Sequence, residues 1–497
     1  MTTTVAAVAR VWALLGLVVG LSSCRPTVDG GQPHTGLRVG ALAPLAADGV
    51  VTLDPVDTAE LIEAVSRLRE LPFGEPVTIG EVDDAGLREM VAGMLASPRG
   101  RSVFVGDART MQAFNTAGAA APLAHTRLAP ALSTELGGYF DPNTRRVYVR
   151  RRGTERDEWQ WRTTVVHELA HALQHEHFGS LEPAVFSEDS WLASRALVEG
   201  DARLISMLYI SEQDGYPKGR VLHMLASRTF LGEIVDDPLS ALPPAVGARL
   251  SFEYWEGAAF VATLVRTGGM KLLDRAFAQP PSTTEQVLHP AKYLAGEQGV
   301  ELAPPKVPRG YRSLGSGTRG ELLIRLMAER CLSADKAQAV AAGWGGDAFV
   351  LANNGRGAHA LLWRTVWDTA ADAKQFMSAL ASRPACWTAP SEEGRAVGSA
   401  HWARRQGRQV ALARGLDEGL RKSVVRRMLR SPLSFARRRP LSNLAIAPLP
   451  PVAPRRAGRV AGSRYRSPWL GVAATVPPGW RGKIPTPAKG ATYPNEL

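Results

Sequence analysis

The chain contains 497 residues, of which 45% are hydrophobic, and it carries a formal net charge of +12. This length and hydrophobic content are sufficient for two or three domains, each with its own core. Beyond the N-terminus no segment is long and apolar enough to cross a bilayer, which excludes a protein with several membrane-spanning helices.

The N-terminus predicts that the chain is exported. A single positive charge at Arg10 precedes the apolar run from Val11 to Leu21, and Leu21-Ser22-Ser23-Cys24 matches a lipoprotein cleavage box. Residues 1–23 are therefore predicted to be a lipoprotein signal peptide, with an ordinary signal peptide or an N-terminal anchor as the alternative. The resemblance to bacterial lipoproteins implies that Cys24 is lipidated and that residues 24–40 form a flexible tether.

Residues 41–110 are predicted to form an α/β lead-in region that packs on the following domain. Apolar and leucine spacings predict alternating helices and strands, at 61–71, 77–79, 87–95 and 103–105. A further strand is predicted to end at Tyr148 and Val149, before a long helix.

The most informative motif is His167-Glu168-Leu169-Ala170-His171, within TTVVHELAHALQHEHF. On a helix, residues four apart lie on one face, so both imidazoles can bind one zinc ion at about 2.0–2.1 Å, with Glu168 beside the activated water. Apolar residues recur at three- and four-residue steps, and the first Pro or Gly after the motif is Gly179. The motif is therefore predicted to lie on a buried helix that begins near Thr154 and Asp157. A core helix without a metal is the alternative interpretation.

A tetrahedral zinc site needs a third protein ligand. His177 stands where the third histidine of the metzincin pattern HExxHxxGxxH would stand, but Gln174 replaces the glycine of that pattern. Because glycine lets the chain leave the helix sharply, Gln174 is expected to continue the helix and to carry His177 past the metal. His175 is expected to be a surface histidine or a residue that supports a ligand.

The other candidate for the third ligand is Glu199, in ALVEGDARL. It lies on a second predicted helix, from Ser187 to about Ile210, and Gly200 beside it allows two helices to approach closely. Glu199 is favoured over His177, because Gln174 is expected to carry His177 past the metal, and a third alternative is that neither residue is the ligand.

Four blocks of the sequence resemble a family of bacterial envelope-associated zinc metallopeptidases of the gluzincin type. They are GGYFDPNTRRVYV from Gly137, VVHELAHALQHEHF, ALVEGDA, and PPSTTEQVLHPAKYL from Pro280. They extend over about 160 residues, and HELAHALQ and EGDA are the most specific. The resemblance implies an α+β fold, with a catalytic domain at residues 111–300 that combines a mixed sheet with the HExxH helix. It also implies zinc bound by His167, His171 and Glu199, with Glu168 as the general base.

The resemblance has three further implications. In gluzincins the strand before the active-site helix lines the cleft, and an extended peptide can add to its edge, which implies this role for the strand ending at Tyr148 and Val149. Such enzymes usually have a Tyr or His that stabilises the oxyanion, and Tyr254 in SFEYWEGAAF is the candidate here. Thermolysin-like enzymes carry an Asp four residues after the ligand Glu, where this chain has Arg203, so Asp201 is left as a weak substitute for supporting a ligand histidine.

A Pro-rich linker at residues 301–312 is predicted to lead into a smaller α+β accessory domain at residues 313–432, with a binding or packing role. Its expected elements are a helix at 321–342, a turn at 343–347 (GWGGD), strands at 348–351 and 360–367, a helix at 371–380, and a strand followed by a helix within 410–429. In an exported protein Cys331 and Cys386 can form one disulfide or remain two buried thiols.

The basic charge is concentrated at the C-terminal end. From Arg395 onward there are 18 Arg and 3 Lys against three acidic residues, so the first 394 residues carry a net charge of −6. Residues 433–497 are predicted to be a disordered, Pro-rich tail, either a solvated linker or a segment that touches an anionic lipid or polysaccharide of the envelope. Nucleic-acid binding is not expected, because an exported tail without regularly spaced aromatics does not fit it. The stretch GVAATVPPGW predicts the start of a β segment that the chain does not complete.

These patterns together predict zinc-dependent hydrolysis of peptide or protein substrates in the bacterial cell envelope, by a membrane-anchored lipoprotein. The alternative, from a different functional class, is an inactive envelope lipoprotein that keeps this fold as a binding scaffold. Since both share the fold and the location, zinc content distinguishes them.

Overall fold

The computed structural model describes a large part of the chain, namely residues 50–53, 55–96, 110, 113–114, 136–151, 158–179, 187–228, 244–355, 359–382, 387, 401–435, 459–461, 464–467 and 472–475. These residues belong to two units, one within residues 1–446 and one within 447–497. Helices and sheets are both present, so the fold class is α+β. Within the described ranges, no helix is both long and apolar enough to cross a membrane.

The first part of the larger unit combines a small sheet with long helices. Its elements are β1 (Val50–Thr52), α1 (Pro55–Arg69), β2 (Thr78–Val82), α2 (Asp84–Ala96), β3 (Gly138–Asp141), β4 (Arg146–Arg150), α3 (Glu158–Phe178), α4 (Glu188–Gln213), α5 (Lys218–Ala226), α6 (Pro244–Ser251), α7 (Gly257–Ala278), α8 (Thr284–Leu288) and α9 (Pro290–Leu294). A π-helical turn, Phe252–Glu256, joins α6 to α7.

The sheet of this part is mixed, as the family resemblance implies, with the strand order β1-β2-β4-β3. β4 pairs in parallel with β2 and antiparallel with β3. The strand that contains Tyr148 and Val149 is therefore an interior strand, and the expectation that a peptide adds to it is wrong, because both of its edges are already paired. β3 is the strand at that edge of the sheet.

The two long helices follow the sequence prediction closely. The HExxH motif lies on α3, which ends at Phe178 before Gly179, a glycine in the left-handed conformation (φ +66°). The expected start near Thr154 and Asp157 lies outside the described residues. α4 begins after Ser187, whose side chain accepts a hydrogen bond from the Ser190 amide in a capping box, and it ends three residues beyond the expected Ile210.

The lead-in region contains the expected elements with shifted boundaries. α1 begins at Pro55, six residues before the predicted start, and a proline in the first turn of a helix is a signal that was missed. β2 extends to Val82, and α2 covers the predicted helix at 87–95. The strand predicted at 103–105 lies outside the described residues.

The second part of the larger unit is built on a five-stranded antiparallel sheet with the order β6-β7-β8-β10-β9. Its elements are β5 (Val300–Glu301), β6 (Arg312–Gly317), α10 (Gly320–Glu329), α11 (Ala334–Ala341), β7 (Trp344–Asn353), β8 (His359–Trp367), α12 (Ala370–Ser382), β9 (His401–Gln406), β10 (Gln409–Arg414), α13 (Glu418–Arg430) and β11 (Ser434–Phe435). One face of the sheet packs against α10, α11 and α12, and the other packs against α13.

Two predictions for this part are wrong. The helix expected over 321–342 is two helices, because Ser333 adopts an extended conformation (ψ 155°) and starts α11. The turn expected at GWGGD is mostly strand: Gly343 turns the chain with φ +79°, but β7 begins at the next residue and contains a bulge between Trp344 and Gly346. β6 and β9 were not predicted.

Cys331 is disulfide-bonded, while Cys386 and Cys24 lie outside the described residues.

Asp347, at the end of the GWGGD sequence, is a buried hydrogen-bond hub. Its carboxylate accepts hydrogen bonds from the backbone amides of Arg319 and Gly320, at 2.9 Å each, and from the indoles of Trp344 (3.0 Å) and Trp363 (2.9 Å). These donors fix the start of α10 against the sheet, so the segment has a structural role that a plain turn would not have.

Charged contacts join the two parts of the larger unit. Arg319, fully buried, donates to Glu188 at the start of α4 (2.7 Å). Lys292 places its ammonium 2.6 Å from both Glu285 and Asp368. The start of the helix that carries Glu199 is thus held by a residue of the second part.

The smaller unit has regular structure within the segment expected to be disordered. β12 (Arg459–Ala461), β13 (Arg464–Ser467) and β14 (Val472–Thr475) form an antiparallel sheet in that order. For these residues the prediction of disorder is wrong. The stretch GVAATVPPGW does contain a strand, and that strand is paired with β13.

α4 and α7 cross at backbone contact beside Glu199. A β-carbon at Gly200 would lie 2.3 Å from the carbonyl carbon of Gly257, and one at Gly257 would lie 2.2 Å from the carbonyl oxygen of Ala196. The close approach expected from Gly200 is therefore present, and it requires glycine on both helices.

Gly200→Ala is expected to lower the free energy of unfolding by about 1–3 kcal/mol or more, since backbone atoms cannot move aside cheaply. Thermal unfolding followed by circular dichroism measures this as a lower midpoint. The matched control is Gly219→Ala on α5, where nothing lies within 4 Å of the added carbon. This control should leave stability unchanged or raise it by about 0.4–1 kcal/mol. Equal midpoints for the two variants would contradict the crossing geometry.

Candidate metal centre

Three side chains from two helices converge in the core of the first part. His167 and His171 lie one turn apart on α3, and Glu199 reaches them from α4. The Nε2 atoms of the histidines are 3.2 Å apart, and they lie 3.2 Å and 3.4 Å from Oε2 of Glu199. All three side chains are buried. The three donor atoms thus form a nearly equilateral triangle.

This triangle fits one face of a zinc coordination tetrahedron. Zinc bonds of about 2.0–2.1 Å at tetrahedral angles place neighbouring ligand atoms about 3.3–3.4 Å apart. Two imidazole nitrogens and one carboxylate oxygen are also a donor set that zinc prefers. The residues present therefore fit zinc, and the three of them leave a fourth corner for water or substrate.

Arg195 orients the Glu199 carboxylate. It lies one helical turn before Glu199, donates to Oε1, and leaves Oε2 directed at the two imidazoles. Burial acts to raise the pKa of Glu199, but the charge of Arg195 and the two histidines outweigh it and hold the pKa well below its usual range. Glu199 is thus ionised, as a metal ligand must be.

The two histidines differ in their pKa values for physical reasons. Burial lowers the pKa of His167 to about 4, opposed by its hydrogen bond to Glu199. For His171, burial also acts to lower the pKa, but the negative charges of Glu199 and Glu168 outweigh it and the pKa is raised. His167 is therefore neutral at neutral pH and has a free lone pair for a metal.

Glu168 is fully buried beside the triangle, and no hydrogen-bond donor reaches its carboxylate oxygens at normal geometry. Burial raises the pKa of Glu168 to about 8, and the charge of His171, with a smaller contribution from the backbone amide of Phe140, opposes this rise only in part. A buried carboxyl group without a partner is costly unless a bound group or water completes its environment. Glu168 also lies against β3, since a β-carbon at Gly138 would be 2.9 Å from its Cγ.

Gln174 supports His171 and was not identified from the sequence. Its amide nitrogen donates to the Val198 carbonyl (3.0 Å) and to Oδ2 of Asp201 (3.1 Å). Because both of these partners only accept, the amide oxygen must face Nδ1 of His171, at 3.0 Å. His171 therefore carries its proton on Nδ1 and keeps Nε2 free for a metal. The signal was available, because Gln174 follows His171 by three residues on one helix face.

Asp201 acts on the histidine through Gln174 rather than directly. Its carboxylate also accepts a hydrogen bond from Arg69 (3.0 Å), whose guanidinium lies 2.8 Å from Asp274. Arg69 and Asp201 are 1% and 0% exposed, so this is a core ion pair that ties α1 to α4. Asp201, which was expected to be only a weak substitute for the thermolysin-type Asp, therefore reaches the ligand histidine through the Gln174 amide.

The alternative ligand does not join the triangle. α3 continues through Gln174 as expected, and Nε2 of His177 lies 2.7 Å from the Pro72 carbonyl at the surface. His175 is half-buried, with its ring 5.8 Å from that of Phe140.

Tyr254 lies beside the triangle, on the π-helical turn. Its ring centroid is 6.0 Å from that of His167.

Arg203 is buried with its guanidinium 4.2 Å above the Trp255 ring, and its charge contributes to the lowered pKa of His167. Where thermolysin-like enzymes have a carboxylate, this chain therefore has a cation stacked on an aromatic ring.

A second group of acidic side chains does not resemble a metal site. Glu285, Glu297 and Asp368 have carboxylate oxygens close together, but the Lys292 ammonium lies between them, within 2.6–3.2 Å of each. The Lys292 ammonium therefore occupies the position among these carboxylates that a metal ion would otherwise take.

Comparison with known proteins finds a family match only for the second part of the larger unit. A family model described as a domain of unknown function, DUF8575, matches residues 309–424. This segment contains the five-stranded sheet and none of the residues of the triangle. No curated protein and no solved structure matches the chain.

Gln174→Ala removes the acceptor of the His171 proton, so zinc affinity is expected to fall by about 10–100-fold while the helix content stays unchanged. Competition with a fluorescent zinc chelator measures the affinity. His177→Ala is the control on the same helix, and it should bind zinc like the parent. Parent-like affinity in Gln174→Ala would show that the amide does not support the site, and loss of zinc in His177→Ala would restore that histidine as the third ligand.

Proposed function

We propose that this chain is a zinc-dependent peptidase of the gluzincin type that hydrolyses peptide or protein substrates. The observation that supports this most strongly is the triangle of His167, His171 and Glu199, whose sides of 3.2–3.4 Å match the ligand spacing of tetrahedral zinc. The unpartnered carboxylate of Glu168 beside the triangle supplies the second requirement, a base close to the open corner.

When bound, zinc supplies Lewis-acid chemistry that activates water and polarises the scissile carbonyl. Glu168 accepts the proton of the attacking water on its carboxylate and returns it to the leaving amine. Burial raises the pKa of Glu168 to about 8, and a cation held by the triangle would favour its ionised form, which is the form that accepts a proton. Gln174 keeps the His171 proton on Nδ1, and Arg195 holds the Glu199 carboxylate in place. Tyr254, beside His167, is proposed as the oxyanion donor.

β3 is proposed as the strand that holds an extended substrate. It lies at the edge of the sheet and next to Glu168, so a peptide paired with it would present its backbone to the base.

The proposed location is the bacterial cell envelope, with a lipid anchor at Cys24. This rests on the N-terminal cleavage box, and the disulfide at Cys331 is consistent with it, because disulfides persist mainly in oxidising compartments.

Glu168→Gln is expected to keep about one zinc per chain but to lose nearly all hydrolysis, since an amide cannot accept the proton of the water. Glu199→Ala is the matched variant, and it should lose both zinc and activity because two histidines leave the metal half coordinated. The measurements are zinc content by mass spectrometry and cleavage of a fluorogenic peptide library, with and without a chelator.

Three results would contradict the proposal. They are zinc loss in Glu168→Gln, unaltered hydrolysis in either variant, and a parent that binds no zinc after reconstitution. The last of these favours the inactive scaffold.

A further inference from the structure

Much of the C-terminal positive charge lies on folded elements. Residues 401–435 contain nine Arg or Lys and only two acidic side chains. They form β9, β10 and α13, on the side of the five-stranded sheet that ends in β9. Much of the C-terminal positive charge therefore lies on a folded surface, outside the tail that was predicted for residues 433–497.

The outer side of α13 is a basic stripe. Lys422, Arg426 and Arg430 follow one another at four-residue steps and are exposed. The opposite side of the helix, including Val424 and Met428, packs against β10. At about 1.5 Å per residue, the stripe is about 12 Å long.

Arg404 on β9 extends this stripe onto the sheet. It pairs with Ala411, which belongs to the apolar cluster beneath α13, so Arg404 lies on the face of the sheet that α13 covers. Arg404 is exposed, and Trp402, two residues earlier, packs partly against the same cluster. We call Arg404, Lys422, Arg426 and Arg430 the basic face.

Charged residues on edge strands and outer helix faces are common, because they prevent strand pairing and keep a surface hydrated. Such surfaces usually mix the two signs. Here the two acidic residues of the segment are both engaged at the start of α13: Asp417 caps the helix by accepting from the Leu420 amide (2.8 Å), and Glu418 pairs with Lys422 (2.7 Å). Beyond that turn the stripe is entirely cationic.

We propose that the basic face binds the surface of an anionic phospholipid bilayer. Each Lys or Arg close to such a surface strengthens the attraction, and cations on one rigid side can approach a plane together. A nucleic acid strand would need exposed aromatic platforms for its bases, and the aromatic side chain beside the basic face, Trp402, is partly buried in the domain. The second part of the larger unit, to which the matched DUF8575 segment belongs, would then orient the protein on the membrane independently of the metal centre.

The test is co-sedimentation of the full-length protein with vesicles of phosphatidylcholine, alone or mixed with phosphatidylglycerol. Cys24→Ser is present throughout, so that no acyl chain contributes. The test variant replaces the basic face with Gln at all four positions, which preserves helix propensity. The control variant removes the same charge from four exposed sites of the same domain, Arg309, Arg312, Lys336 and Lys374, also by replacement with Gln.

The parent and the control are expected to bind the phosphatidylglycerol vesicles alike and to be released by salt, and neither should bind pure phosphatidylcholine. The test variant should bind at least about tenfold more weakly. If both variants lose vesicle binding equally, the binding depends only on the net charge of the protein. If the test variant loses none, another part of the chain binds the vesicles. A parent that binds polyphosphate but not the anionic vesicles would identify a polyanion instead. Each of these three results overturns the proposal.

Discussion

The structure depends on the burial of one ionised carboxylate, that of Glu199, with two imidazoles in the centre of the first part. A charge in such a place is tolerated only if opposite charges and hydrogen bonds surround it. Arg195 supplies one positive charge on the same helix, and the crossing of α4 and α7 at glycine brings the two backbones into contact beside Glu199. The other oxygen, Oε2, lies within 3.2–3.4 Å of the Nε2 atoms of both histidines. A metal cation bound between these three atoms would accept a lone pair from each of them, and for this reason the functional proposal rests on the triangle.

The polar groups around the triangle tie distant segments to it. The chain of contacts from Arg69 through Asp201 and Gln174 ends at Nδ1 of His171, so α1 of the lead-in region contributes to the orientation of a proposed ligand. Detaching α1 would leave Asp201 buried without its cation. On the other side, Arg319 holds the start of α4 through Glu188, so the DUF8575 segment also supports the helix that carries Glu199.

The sequence predicted the parts of this fold that depend on local pattern. α3 and α4 were identifiable because their apolar periodicity and their ends, Gly179 and Ser187, are encoded in neighbouring residues. The interior position of β4 and the inclusion of GWGGD in β7 were not, since strand order and hydrogen bonds between distant residues decide them. Asp347 illustrates this, because its role depends on amides at residues 319 and 320, which the local sequence does not reveal. The roles of Gln174 and Arg195 also required the side-chain geometry, although both sit at helical spacing from a predicted ligand.

X-ray absorption at the zinc K-edge of the purified, reconstituted chain tests the central claim most directly. The expected result is one zinc bound by light atoms only, with two imidazole nitrogens at about 2.0–2.1 Å and oxygen neighbours from one carboxylate and solvent. A spectrum with sulfur neighbours, with three imidazoles, or with zinc bound only in a loosely held hydrated form would contradict it.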